Sequence, residues 1–145
     1  MSLKPHPSPD MGEVRVKVLL SNVSDAHAAE DGRLPRERVR SVEADALVDT
    51  GAVRSCIPAP LLERLGIRPY RNVTVELADG NKTAAGLADG VRFEIMDRSS
   101  SDDAFVLGDE VLIGQTVLEK MDLLVDCQRR KLVPAHPEGP VNKLK

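Results

Sequence analysis

Three stretches of this chain alternate apolar and polar residues with a period of two: EVRVKVLL from Glu13, NVTVELADG from Asn72 and VRFEIMD from Val91. Only an extended strand sends successive side chains to opposite faces, so each stretch predicts a strand buried on one side and wet on the other. Val39, Val42, Ala44, Ala46 and Val48 continue the pattern more loosely. Asp79-Gly80 closes the second stretch with a dipeptide favoured in tight hairpin turns. The string LADG recurs at Leu87 to Gly90 and reads as a second, similar turn rather than as a duplication.

Between these strands the breaks are clear. APLLERLGI, with Pro58 or Pro60 to start it and Gly66 to close it, predicts a short helix, and QTVLEKM predicts another of about two turns. Residues 21–38 are polar and read as a long loop with a helical turn at DAHAAE; SSSDD reads as a polar connection. AFVLGDEVLIG is an apolar stretch broken at Gly108, and DLLVDCQRRKLVP reads as two strands joined by a polar bend. About eight strands and one or two short helices predict an all-β fold, a closed or partly closed β-barrel. Residues 1–12, with Pro5, Pro7 and Pro9, read as a flexible arm, 13–133 as one folded domain, and 134–145 as a tail unless something orders it.

Composition narrows the chemistry. Tyr70, Phe93 and Phe105 are the only aromatic residues, so the core must be built from Val, Leu, Ile and Ala, and stacking on bases or sugars is poorly supported. Net charge is −3, and the densest basic spots, RERVR at 36–40 and RRK at 129–131, read as solvated loop and turn; no nucleic-acid partner is expected. No apolar run approaches the roughly 18 residues of a spanning helix, and the N-terminus has no signal-like apolar region. No membrane association and a cytoplasmic location are the expectations. Cys56 and Cys127 fit buried free thiols. His6, His27 and His136 lack metal-type spacing and fall in the tails and a polar loop, so no metal and no other cofactor is expected, and no Ser-His-Asp site. Asp102-Asp103, after three serines, reads as solvated loop charge.

One acid does not fit a bland reading. In ALVDTGAVRSCIP, residues 46–58, an aliphatic run leads straight into Asp49, and a charge placed at the end of a buried strand costs several kcal/mol unless it is paired or hydrogen-bonded. A carboxylate in a tight turn can accept backbone N–H bonds that fix its direction. Thr50 could anchor the turn through its hydroxyl, and Gly51 permits a close backbone approach that a Cβ would forbid. The tripeptide alone is weak evidence, so its context decides.

ALVDTGAVRSCIP, then LADGNKTAAGLADGVRFEI, then VLIGQTVLEKMDLLVDCQRRKLV resembles, in order and spacing, the retropepsin-like (retroviral-type) aspartic proteases, especially the small stand-alone bacterial members. The resemblance covers roughly residues 13–133, nearly all of the folded part. It implies that Asp49 is the catalytic acid of an endopeptidase and that the Thr50 hydroxyl braces two active-site turns against each other. Gly51 and Ala52 would let substrate backbone lie close. The segment from Asp79 to Gly90, with Asp79, Gly80, Ala84, Ala85, Gly86 and Leu87, would be the flap. Leu112, Ile113 and Gly114 would form the structural loop beside the catalytic turn. Peptide hydrolysis of this type needs two carboxylates about 3 Å apart that share a proton. One Asp-Thr-Gly is present, so the second must come from another copy of the chain, and the expected partners are itself, as a homodimer, and a peptide or unfolded protein substrate. The flap segment lacks any aromatic residue, and the loop 21–38 is longer than a minimal member needs. A different class of function shares the fold: a dimerisation or peptide-binding module with little or no proteolysis.

Overall fold

A computed structural model describes residues 13–142 and 144, so the expected arm 1–12 lies outside the described residues. Strand β1 (Arg15–Asn22) delivers Val18 and Leu20 to the interior and runs into helix α1 (Val23–Glu30). The Asn22 side chain ends the strand and starts the helix. It accepts the Asp25 N–H at 3.0 Å as an N-cap and donates to the Leu65 carbonyl at 2.9 Å. The stretch expected to be a loop with one helical turn is thus a two-turn helix, followed by a 3-10 turn at Arg36–Arg38. Arg40 is exposed, as a solvated loop predicts, but it is not free: its N–H and guanidinium all bond to the Asp25 carboxylate at 2.8 to 3.0 Å, closing this excursion onto its own helix.

Strands β2 (Ser41–Val48) and β3 (Ser55–Ile57) flank the Asp-Thr-Gly segment, and helix α2 (Ala59–Arg64) follows from Pro58 as expected. Strands β4 (Arg71–Glu76) and β5 (Lys82–Ile95) form a hairpin whose tip holds Asp79 and Gly80. The second LADG is not a turn. Leu87 and Ala88 remain in the β5–β6 ladder, and the register shifts between Ala88 and Val91 while Gly90 takes φ +76°, which is a β-bulge. The chain turns instead at Met96-Asp97, with φ of 52° and 65°, the two positive values that a two-residue type I′ hairpin requires. SSSDD therefore lies within strand β6 (Arg98–Val106) rather than in a connection.

Strand β7 (Leu112–Ile113), helix α3 (Gln115–Met121), and the two-stranded sheet of β8 (Leu123–Asp126) and β9 (Lys131–Pro134) complete the chain. The main sheet has the order β1-β2-β7-β3-β6-β5-β4, and β1 also pairs with β5. That extra pairing, Leu19 to Glu94 through Asn22 to Val91, closes a ring of six strands into a barrel, with β4 extending one side. The closed all-β expectation holds, with α1 added to the expected helices. Val18, Leu20, Ile57, Leu62, Val91, Phe93, Ile95, Ile113, Leu118 and Met121 fill the interior, so one aromatic among aliphatics suffices.

The start of the expected tail is tied down by one corner. Arg98, 8% exposed, donates to the carbonyls of Met121 and Asp122 at 2.9 Å and to that of His136. Asp122, left-handed at φ 57°, caps α3, and its carboxylate receives the His136 ring at 2.5 Å and the Val141 N–H at 3.1 Å. Among the described residues no helix is long and apolar enough to cross a membrane.

Candidate active site

The barrel positions Asp49 by threading β7 between the two strands that flank it. β7 runs parallel to β2, with Leu47 opposite Leu112 and Val48 opposite Ile113, and antiparallel to β3, with Cys56 opposite Leu112. The six residues from Asp49 to Arg54 must therefore cross over the end of β7. The backbone pins them on both sides. The Asp49 N–H bonds to the Ile113 carbonyl at 2.9 Å, the Gln115 N–H to the Ala52 carbonyl at 2.8 Å, and the Thr116 N–H to the Val53 carbonyl at 3.0 Å. The first turn of α3 thus spends its free N–H groups on the crossing segment.

Gly114 makes this approach possible. A Cβ there would stand 2.6 Å from the Arg54 carbonyl carbon and oxygen and 2.9 Å from the Val53 oxygen. Its N–H donates to Ser55 Oγ at 2.9 Å, a fully buried hydroxyl that ties the glycine to β3. Leu112, Ile113 and Gly114 accordingly adjoin the Asp49–Arg54 segment.

Inside the turn, the Ala52 N–H bonds back to the Asp49 carbonyl at 3.1 Å, and the Gly51 N–H donates to Asp49 Oδ1 at 3.0 Å. The carboxylate is thereby oriented by its own loop, and a Cβ on Gly51 would come within 3.3 Å of the same oxygen. Asp49 is half-buried while Thr50 and Gly51 are exposed, and Val53 is 67% exposed. Among the described residues the Thr50 hydroxyl has no hydrogen bond within the chain. The hydrogen bond from Gly51 to the Asp49 carboxylate is itself exposed.

The hairpin residues divide in two. Asp79 and Gly80 form the tip, where Asp79 Oδ1 accepts the Asn81 N–H at 2.9 Å and the Leu77 N–H reaches the Asn81 carbonyl at 2.7 Å. Ala84, Ala85, Gly86 and Leu87 lie in β5, opposite Thr74, Val73, Asn72 and Arg71, with Ala85 and Leu87 buried. Gly86 is squeezed against the Pro69 ring, 2.9 Å from where its Cβ would be.

Sequence reasoning missed several groups around the turn. Asp102 and Asp103 are not solvated loop charge. Asp102 accepts Thr116 Oγ1 at 2.6 Å and Lys120 at 3.2 Å, binding β6 to α3, and Asp103 pairs with Arg54 Nε at 3.0 Å. These partners lie 14 to 49 residues away, beyond any local signal. Cys56 is buried as expected, and burial first, then the charge of Asp49, pushes its thiol up to about 11. It is no nucleophile at neutral pH. Cys127, expected to be buried, is exposed because the bend between β8 and β9 carries it.

A strand ring closed around an aliphatic core, with one Asp-Thr-Gly turn straddling an inserted strand, is the retropepsin-like architecture. The chain belongs to the family described as "gag-polyprotein putative aspartyl protease", which matches residues 38–120, more than half of its length. Among solved structures it is similar to EIAV protease in complex with the inhibitor HBY-793, at 15% identity and TM-score 0.55, over 79% of this chain and 92% of that one. It also matches simian foamy virus protease, at 15% identity and TM-score 0.45, over 72% of this chain and 90% of that one. At that identity the EIAV likeness speaks for the fold. No curated protein matches the chain.

Proposed function

We propose that this protein is an aspartic endopeptidase that hydrolyses peptide bonds as a homodimer, with Asp49 of each copy meeting at the two-fold axis. The observation that carries the reading is the Asp49 turn: a half-buried carboxylate held by the Gly51 N–H at 3.0 Å, in a partly exposed loop pinned from both sides. Two such carboxylates close together cannot both ionise, so the pair shares one proton. The ionised member takes a proton from the attacking water, and the protonated member supports the developing oxyanion. Both pKa values then belong to the pair.

The other residues take supporting roles in the same reading. Thr50, exposed and unbonded among the described residues, bridges to the turn of the second copy. Gly51 and Ala52 allow the substrate backbone to approach, while Leu112, Ile113 and Gly114 hold the turn at the axis. The β4–β5 hairpin, with Asp79 and Gly80 at its tip, closes over the substrate as a flap, using backbone and small apolar side chains in place of an aromatic tip.

The test is cleavage of an unfolded protein at mildly acidic pH, with and without a pepstatin-type inhibitor. Wild type should cut and be inhibited, and Asp49→Asn should lose at least about a thousandfold in rate, the scale of losing an essential catalytic group. Equal behaviour of the two proteins would refute proteolysis. Peptide binding that survives in both would then favour the binding-module alternative. Sedimentation should find a dimer, weakened by Thr50→Ala.

A further inference from the structure

Arg54 closes the turn that Asp49 opens, and its side chain is held without being used up. Its Nε donates to Asp103 at 3.0 Å, and its guanidinium lies over the Phe105 ring, 5.7 Å from the centroid. Among the described residues neither terminal nitrogen has a hydrogen-bond partner, and 43% of the side chain is exposed. An exposed ion pair of this kind contributes little to stability. What it does contribute is aim, because Asp103 and the ring together fix the plane of the fork.

The surface beneath that fork leads back to Asp49. Phe105 stands opposite Cys56 in the β3–β6 ladder and opposite Leu87 in the β5–β6 ladder, and directly opposed residues share a face. Cys56, Phe105 and Leu87 therefore form one apolar row across three neighbouring strands. Cys56, at the end of the row next to the turn, feels the charge of Asp49. The row thus has a carboxylate at one end and a half-exposed cation over its middle.

We propose that Arg54 is a specificity-determining residue, whose free guanidinium edge selects a glutamate or aspartate side chain of the peptide substrate close to the scissile bond. This rests on the proteolytic reading of Asp49. An anionic substrate residue would otherwise be repelled by the charge on the catalytic pair, and a cation on the same wall reverses the sign locally. The two unpaired terminal nitrogens match the two oxygens of a carboxylate, while Phe105 supports the aliphatic stem that carries it. Asp103 plays two parts: it orients the fork, and it competes with the substrate for it.

The experiment begins with a peptide library digested by the wild-type enzyme, followed by a pair of peptides that differ only by Glu or Gln at the enriched position. Cleavage sites should be enriched in acidic residues at one fixed distance from the cut. The Glu-to-Gln ratio of kcat/KM should be about tenfold or more in wild type, the scale of a charge-assisted hydrogen bond, and fall to about one in Arg54→Gln. Asp103→Asn should raise the ratio, because the competing carboxylate is gone, and Arg54→Lys should retain part of it. Taking a ratio within each enzyme cancels any loss of folded protein. Cleavage with no acidic enrichment, or a ratio unchanged in Arg54→Gln, overturns the assignment of Arg54 and leaves Asp49 proteolysis standing. A wild type that cleaves nothing overturns the proteolytic reading and this inference with it.

Discussion

The Asp49 turn and the tip of the β4–β5 hairpin are both short, partly exposed and glycine-bearing, yet they are held in opposite ways. The turn is fixed from outside: Ile113, Gln115 and Thr116 bond its backbone, and Ser55 and Gly114 lock β3 to β7 beneath it. Among the described residues the hairpin tip is hydrogen-bonded only from within, by Asp79, Leu77 and Asn81 bonding one another. A Cβ at Gly80 would meet nothing within 4 Å, whereas one at Gly114 would strike backbone. In the proposed chemistry the first loop would hold a carboxylate in one direction and the second would serve as the cover that moves, so the two would divide the work.

The contrast breaks most visibly at Gly114. In Gly114→Ala the new methyl collides with the Arg54 and Val53 carbonyls, which are backbone and cannot swing aside. A loss of about 3 kcal/mol in denaturant unfolding is expected, together with most of the activity, because the crossing segment must shift. A stability within 0.5 kcal/mol of wild type, roughly that of a neutral surface change, would mean the turn is not braced as described.

Ser55→Ala probes the same brace more gently. It leaves the buried Gly114 N–H without its acceptor, at a cost of about 1 to 3 kcal/mol. Its cleavage rate should fall by more than the lost stability explains, since the loop beside Asp49 loosens. Gly80→Ala is the matched control at the hairpin. There is space for the methyl, so the cost is only that of φ +87° for an alanine, about 1 kcal/mol. Hydrogen exchange should find faster opening confined to the hairpin, with the amides of the Asp49 turn unchanged.

The same division explains what the amino-acid order discloses. Asp49 was legible because an aliphatic run ending in Asp-Thr-Gly is anomalous on local grounds, and the alternating strands were legible because their period is local too. The hairpin turn at Asp79-Gly80 carried its own dipeptide signal. Met96-Asp97 carried little, since Met disfavours positive φ and Asp only tolerates it, so the strand character of SSSDD was hidden. Helix α1 was hidden by its lack of an apolar stripe; it buries only Ala26 and depends on the Asn22 cap and the Arg40–Asp25 pairing. Asp102, Asp103 and Arg98 find partners 14 to 49 residues away, and no pattern along the chain announces such meetings.

The smallest expected effect concerns the far end of α3, the helix whose first turn braces Asp49. There the Asp122 carboxyl lies below the usual carboxylate range, chiefly because the His136 ring bonds to it, helped by the Val141 N–H and the charges of His136 and Arg98 and opposed by burial. A carboxyl whose pKa is lower in the folded chain contributes stability that is complete above its unfolded value, about 3.9, and is lost as pH falls through the folded value. His136→Gln removes the leading cause. The stability difference between wild type and this variant should therefore be present at pH 5, begin to shrink below about 4 as the unfolded chain takes up the proton, and vanish once pH has fallen through the lowered folded value. A difference that stays constant through that range would detach Asp122 from the effect. In the expected case acid loosens the C-terminal segment at the distal end of α3, while the backbone bonds and the Ser55 hydroxyl bond that tie the Asp49 segment to β7 and α3 at the proximal end do not themselves titrate.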